Sequence, residues 1–148
     1  MNKPEMVSDT RNRFDCVFIM PERQTKHSAG YDFYCPKDTV IPPDTSVVIS
    51  TGFKVELEPE EVMQIHIRSS MAFKHKLLMV NSVGIIDADY YNNPDNEGEI
   101  LIGLRNLGKE PVTIKQGERF AQGIVLPYRT WGDVPNRERK GGVGSSGR

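Results

Sequence analysis

The chain carries only two cysteines, Cys16 and Cys35, among 148 residues, which excludes a disulfide-dense secreted scaffold. Both are expected as free thiols. Its three histidines, His27, His66 and His75, have no cysteine or acidic neighbour at zinc-finger or metalloprotease spacing, which argues against a zinc site. Long apolar runs are missing as well. Nothing approaches the roughly 20 residues that cross a bilayer. The polar and charged residues through Arg13 contain no signal-peptide core, so a cytoplasmic protein with no membrane attachment is expected. Neither sign of charge is in excess: 19 Lys and Arg stand against 20 Asp and Glu, a formal charge of -1. Such a chain has no general attraction for nucleic acid, so direct nucleic-acid binding is not expected and any anionic ligand must be held locally. Its length, 148 residues, suits one domain with a sizeable core and is too short for two.

What the chain does have is short apolar runs with period-two alternation, at 47–49, 53–57, 63–67, 77–80, 100–104, 112–114 and 120–126. Turn formers separate them, among them Pro42-Pro43-Asp44, Glu58-Pro59-Glu60, Asn106-Leu107-Gly108 and Gln116-Gly117. Many short strands with little helical periodicity predict an all-β sandwich or barrel. The one helix expected, Ser69 to Lys76, opens with a serine suited to capping it. Residues 1–135 read as the β domain. The tail 136–148, basic at Arg137, Arg139 and Lys140 and then rich in Gly and Ser, is expected to order only when a ligand holds it.

The most informative stretch is Val80-Asn81-Ser82-Val83-Gly84-Ile85-Ile86-Asp87-Ala88-Asp89-Tyr90. It puts a carboxylate, an aromatic ring and a glycine turn within one apolar strand pair. Asp87 and Asp89 beside Ile85 and Ile86 need partners or a cavity, although on these residues alone an ordinary hairpin with solvated acids fits too. Four further segments accompany it in order: Ala29-Gly30-Tyr31-Asp32, Arg68-Ser69-Ser70-Met71-Ala72, Glu118-Arg119-Phe120-Ala121-Gln122, and Arg139-Lys140-Gly141-Gly142-Val143-Gly144-Ser145-Ser146-Gly147. Any one is a weak signal. Together, over nearly the whole chain, the five resemble the motifs of the trimeric dUTP diphosphatases (dUTPases).

The resemblance implies a jelly-roll-like subunit in a homotrimer whose active sites draw motifs from more than one subunit, the tail reaching across to a neighbour. It implies Mg²⁺-dependent hydrolysis of dUTP to dUMP and pyrophosphate. Asp87 would be the general base that holds and deprotonates the attacking water. Asn81, Gly84, Ile85 and Ile86 would hold uracil and leave no room for the thymine methyl, Tyr90 would pack beneath the deoxyribose, and position 143 would cover the base. Arginine forks and serine hydroxyls suit phosphate, which fits Arg68, Ser69 and Ser70 on the α- and β-phosphates, Gln122 beside them, and Arg139, Ser145 and Ser146 on the γ-phosphate. Asp32 would order water around nucleotide-bound Mg²⁺. Each residue also has a plain structural reading: a cap for Ser69, a cross-strand bond for Gln122, a turn for Asp32, a half-exposed strand aromatic for Tyr90.

Two departures from the family pattern stand out. Val143 occupies the place of the usual phenylalanine, so the lid loses a π face and a raised KM or slower chemistry is expected. After Tyr90 an insertion, Tyr91-Asn92-Asn93-Pro94-Asp95-Asn96, precedes Glu97-Gly98-Glu99. Its turn formers predict a loop that projects from the hairpin, as in some Gram-positive and phage members, either tolerated as surface or docking a regulatory protein. A dCTP deaminase-like enzyme shares the Arg-Ser-Ser element, but the 84–90 run matches it less closely.

Overall fold

The computed structural model describes residues 3–132 and 134–144; Ser145 and Ser146 lie outside the described residues. In chain order the strands are β1 (Pro4–Met6), β2 (Tyr31–Tyr34), β3 (Thr39–Ile41), β4 (Ser46–Ser50), β5 (Phe53–Val55) and β6 (Glu61–Ile67). The helix α1 (Ser69–Phe73) follows, then β7 (Leu77–Met79), β8 (Gly84–Asp87), β9 (Leu101–Asn106), β10 (Val112–Ile114) and β11 (Arg119–Pro127). The all-β architecture with one short helix is the expected one. All pairings are antiparallel. A four-stranded sheet runs β2-β11-β6-β8 and a three-stranded sheet β4-β9-β7, with ribbons β1-β5 and β3-β10 beside them.

One core joins the two larger sheets. Phe33, Met63, Ile65 and Phe120 come from the four-stranded sheet and Ile49, Leu77, Met79, Ile102 and Leu104 from the three-stranded one. β9 has the clean alternation expected of a half-buried strand, its even-numbered residues Ile102, Leu104 and Asn106 fully buried. Asn106 is tolerated there because its amide nitrogen donates to the carbonyls of Ile41 and Glu110 and its Oδ1 accepts the Gly108 N–H. Every polar atom of that side chain is thus satisfied, and the turn after β9 is pinned by it.

Several expectations change. The helix ends at Phe73, short of Lys76, and its N-cap is Arg68 with no side-chain cap bond, so Ser69 lies inside the first turn and is free of capping duty. The strand pair around 80–87 is no hairpin: β7 pairs with β9 and β8 pairs with β6, so the link 80–83 carries the chain from one sheet to the other. The left-handed residue in that link is Ser82, φ 62°. Gly84 instead begins β8, where an added Cβ would lie 3.1 Å from the Ile65 Cβ, so the glycine permits close packing.

The insertion does not project. Asn93 is buried and acts as its hub: Nδ2 donates to the Tyr90 carbonyl and to Asn96 Oδ1, while Oδ1 accepts the N–H groups of Asp95 and Asn96. The loop is tied to the body through Lys54, whose buried ammonium donates to Asn92 Oδ1 (2.6 Å) and Glu97 Oε1 (2.8 Å). Glu97 Oε2 accepts from the Ser8 N–H and hydroxyl. These contacts fix Glu97 at φ 64°, a left-handed conformation that a non-glycine residue holds only when its surroundings require it.

Candidate active site

Two cavities divide the residues singled out in the sequence. The first, of about 430 Å³, is lined by Val80, Asn81, Gly84, Ile85, Ile86 and Tyr90, with Arg139 and Val143 closing one side. Its walls come from both sheets, since the 80–83 link spans them. Tyr90 is buried, and burial raises its phenol above the ordinary range. Its hydroxyl donates to the Glu99 carbonyl (2.6 Å) and accepts from Asn96 Nδ2 (2.8 Å).

At the edge of this cavity the acids find their partner. Arg139, only 10% exposed, donates from Nη2 to Asp87 (3.2 Å) and from Nε to Asp89 (2.8 Å), with its guanidinium 5.5 Å from the centroid of the Tyr90 ring. Both carboxylates are more than half exposed, so their other oxygens remain open to water or ligand. The described part of the tail therefore lies over the cavity of its own chain.

The second cavity, of about 530 Å³, contains Gly30, Asp32, Arg68, Ser69, Ser70 and Gln122. Three further polar residues line it that carried no role in the sequence: Arg119, Gln24 and Ser28. Arg119 was visible within its motif, but an alternating strand would send it and Gln122 to opposite faces. A β-bulge between Arg119 and Ala121 adds a residue and corrects the parity, so both side chains reach one cavity. Register then sets Gln122 opposite Asp32 on β2. The buried Asp32 carboxylate lies 3.2 Å from Arg119 Nη1 and 3.9 Å from Arg68 Nε. Arg68 is steadied by a bond from Nη1 to the Arg119 carbonyl. Two guanidiniums around one carboxylate leave a net positive site, and hydroxyls and amides surround it. That chemistry suits a polyanion.

Among the described residues none lines both cavities. One is mainly apolar with a few polar groups at its edge; the other is cationic and rich in donors. A ligand with a flat, weakly polar end and a multiply charged end matches the pair.

Comparison with known proteins agrees. The dUTPase family model matches residues 17–147. A deoxyuridine 5'-triphosphate nucleotidohydrolase from Lactococcus lactis subsp. lactis (strain IL1403) is 43% identical over 131 residues, 86% of this chain and 87% of its own length. The crystal structure of dUTPase from Streptococcus mutans superposes with a TM-score of 0.78 at 35% identity, over 88% of this chain and 99% of that one. A dUTPase from phage phi11 of S. aureus, whose structure visualizes a species-specific insert, shares the fold at 22% identity with a TM-score of 0.73, over 93% and 97% of the two chains. With a family match across nearly the whole chain and these motifs gathered at two complementary cavities, the chain belongs to the dUTPase family.

Proposed function

We propose that this protein hydrolyses dUTP to dUMP and pyrophosphate, with Asp87 as general base. The observation that carries the reading is the gathering of the five motifs at an apolar cavity edged by Asp87 and a cationic cavity built on Arg68, Arg119 and Gln122. Uracil would enter the first cavity, its polar edge paired by Asn81 and the backbone of 80–86 and its C5 edge too closely walled for a methyl group. A pocket that pairs one edge leaves its own groups orphaned against another, which separates uracil from cytosine. Tyr90, held by Glu99 and Asn96, would form the floor beneath the deoxyribose and exclude a 2′-hydroxyl.

Arg68, Ser69, Ser70 and Gln122 would hold the phosphates, with Arg119 added. Arg139, and Ser145 and Ser146 beyond the described residues, are assigned to the terminal phosphate. In the reaction, Asp87 takes a proton from a water whose oxygen forms a bond to the α-phosphorus. The bond from that phosphorus to the bridging oxygen breaks, and pyrophosphate leaves with the electron pair. Arg139 must leave Asp87 free as it turns to the phosphates.

Among the described residues no group of three or more His, Cys, Asp or Glu could hold a metal, and Asp32 is already paired with arginines. A resident cation does not fit. A Mg²⁺ that arrives on the triphosphate with its waters does, with Asp32 as an outer acceptor, and when bound it would offset charge on the phosphate oxygens. The family resemblance implies a homotrimer, and the proposed assembly is one in which a base cavity faces a neighbour's phosphate cavity. The arm then closes a base cavity in the manner described, whether that of its own chain or of a neighbour. Loop 91–97 is held by contacts within the chain, and docking of a regulatory protein on it is the alternative role, which deletion of 92–96 would separate from hydrolysis. The substrate is a free nucleotide, which suits a cytoplasmic setting, and among the described residues no helix is long and apolar enough to cross a membrane.

The test is incubation with Mg²⁺ and dUTP, dCTP, dTTP or UTP in turn, identifying nucleotide products and measuring pyrophosphate. Turnover of dUTP alone is expected, falling at least about 10²-fold in Asp87→Asn. Deamination of dCTP, or full activity in the variant, would refute the assignment.

A further inference from the structure

We propose that Asp95, in the inserted loop, is a positioning residue that docks the C-terminal arm over the base cavity, taking up part of the work a stacking aromatic at position 143 would do. The inference deepens the dUTPase reading and rests on it for its catalytic consequence, although the docking itself can be measured without turnover. Val143 is 78% exposed, so it holds the arm weakly. The arm is nevertheless well seated: Gly141 and Gly142 are both buried. Within the arm Arg139 Nη1 donates to the carbonyls of Gly141 (3.4 Å) and Gly142 (3.2 Å), and what ties these glycines to the body is the loop. The Gly142 N–H donates to Asp95 Oδ2 at 2.9 Å, and the Gly142 backbone lies so close to Asn96 that an added Cβ would sit 3.3 Å from its carboxamide atoms. The same Asn96 donates to the Tyr90 hydroxyl, so loop, arm and cavity floor form one contact chain.

Two features make Asp95 more than an incidental acceptor. First, its loop is a rigid mount, fixed within by Asn93 and anchored to the body through Lys54, Glu97 and Ser8. Second, among the described residues the other polar hold of the arm on the body is Arg139 on Asp87 and Asp89, and that hold conflicts with the reaction, since it occupies the proposed base. When Arg139 turns to phosphate, the Gly142–Asp95 bond is the one that can persist. A backbone N–H to a carboxylate is among the stronger hydrogen bonds, and it is made without a side chain having to be ordered on the arm.

The test compares Asp95→Ala and Asp95→Asn with the wild-type full chain in two assays. In the first, tryptic cleavage after Arg139 is timed without nucleotide; Asp95→Ala should be cut roughly threefold to tenfold faster, while Asp95→Asn, whose Oδ1 still accepts the Gly142 N–H, stays within about twofold of wild type. In the second, KM for dUTP should rise by a similar factor in Asp95→Ala with kcat little changed, and Asp95→Asn should restore it. Unchanged cleavage in Asp95→Ala, or equal impairment in both variants, would overturn the proposal. Should the wild-type chain fail to turn over dUTP, the functional reading falls while the cleavage assay still decides the docking.

Discussion

Val143 is one residue whose replacement has a calculable consequence. It lines the base cavity yet is largely exposed, so a phenylalanine there would have room to lie against a base. An aromatic stack adds about 0.5–1.5 kcal/mol beyond area burial, so Val143→Phe should lower KM for dUTP roughly twofold to tenfold, read from steady-state kinetics at unchanged kcat. No change would mean that the arm does not close over the base at all. That Arg68, Gln122 and Tyr90 line the two cavities and Asp87 edges one of them was legible in the sequence, because each is the residue type its proposed role needs, set in a recognisable string. Arg119 carried no such legibility, since its usefulness depends on a bulge that alternation cannot reveal. Asp95 was hidden for another reason: its partner is a backbone N–H 47 residues away, and backbone groups carry no sequence signal.

Among the elements, the strands that alternate were readable and the rest were not. Each of the seven apolar runs contains or overlaps a strand, β4 to β7 and β9 to β11, because one face of each meets the core. β2, with Asp32 buried among its aromatics, and the three-residue β1 and β3 gave no periodic signal. Which sheet a strand joins was also invisible, so β7 and β8 read as a hairpin. The inserted loop misled for a chemical reason: Asn, Pro and Asp signal a solvated turn, whereas here the asparagine amides satisfy the loop's own backbone. Its anchor has a pH signature. Glu97, bonded by Lys54 and Ser8, is held at about 2 against an ordinary 4.5. A depressed carboxylate stabilises the fold fully above its unfolded value and ceases to as pH falls through its folded one. The stability advantage of wild type over Glu97→Gln should therefore be constant above about pH 5 and shrink steadily toward pH 2, in denaturant titrations at each pH. The glutamate is one-third exposed, so solvent screening keeps the effect small. An advantage that grows on acidification would refute the assignment.

At the level of the whole molecule, the proposed division of the ligand's two ends between separate cavities makes a prediction about assembly. Asp87→Asn leaves the phosphate cavity intact and Arg68→Ala leaves the base cavity intact, so each variant should be inactive by itself. Co-refolded in equal amounts, they should regain up to about a quarter of wild-type activity, the fraction of random interfaces at which two sound halves meet. Sedimentation should give three times the mass of the chain. No recovery on mixing would place both halves of a site within one subunit.

The crossing of the 80–83 link from one sheet to the other has a bearing on fidelity. A cavity walled by two layers has a width set by their spacing, so the gap proposed to refuse a methyl group would depend on the core that holds the layers together, where Ile65 lines the cavity and Met79 packs in the same core. On the proposed reading selectivity would be a mechanical property of the core, more easily lost than turnover, which would need only the carboxylate and the phosphate grip. Warming toward the melting temperature should raise the ratio of dTTP to dUTP hydrolysis before the rate on dUTP declines; a constant ratio up to unfolding would show that the wall does not yield.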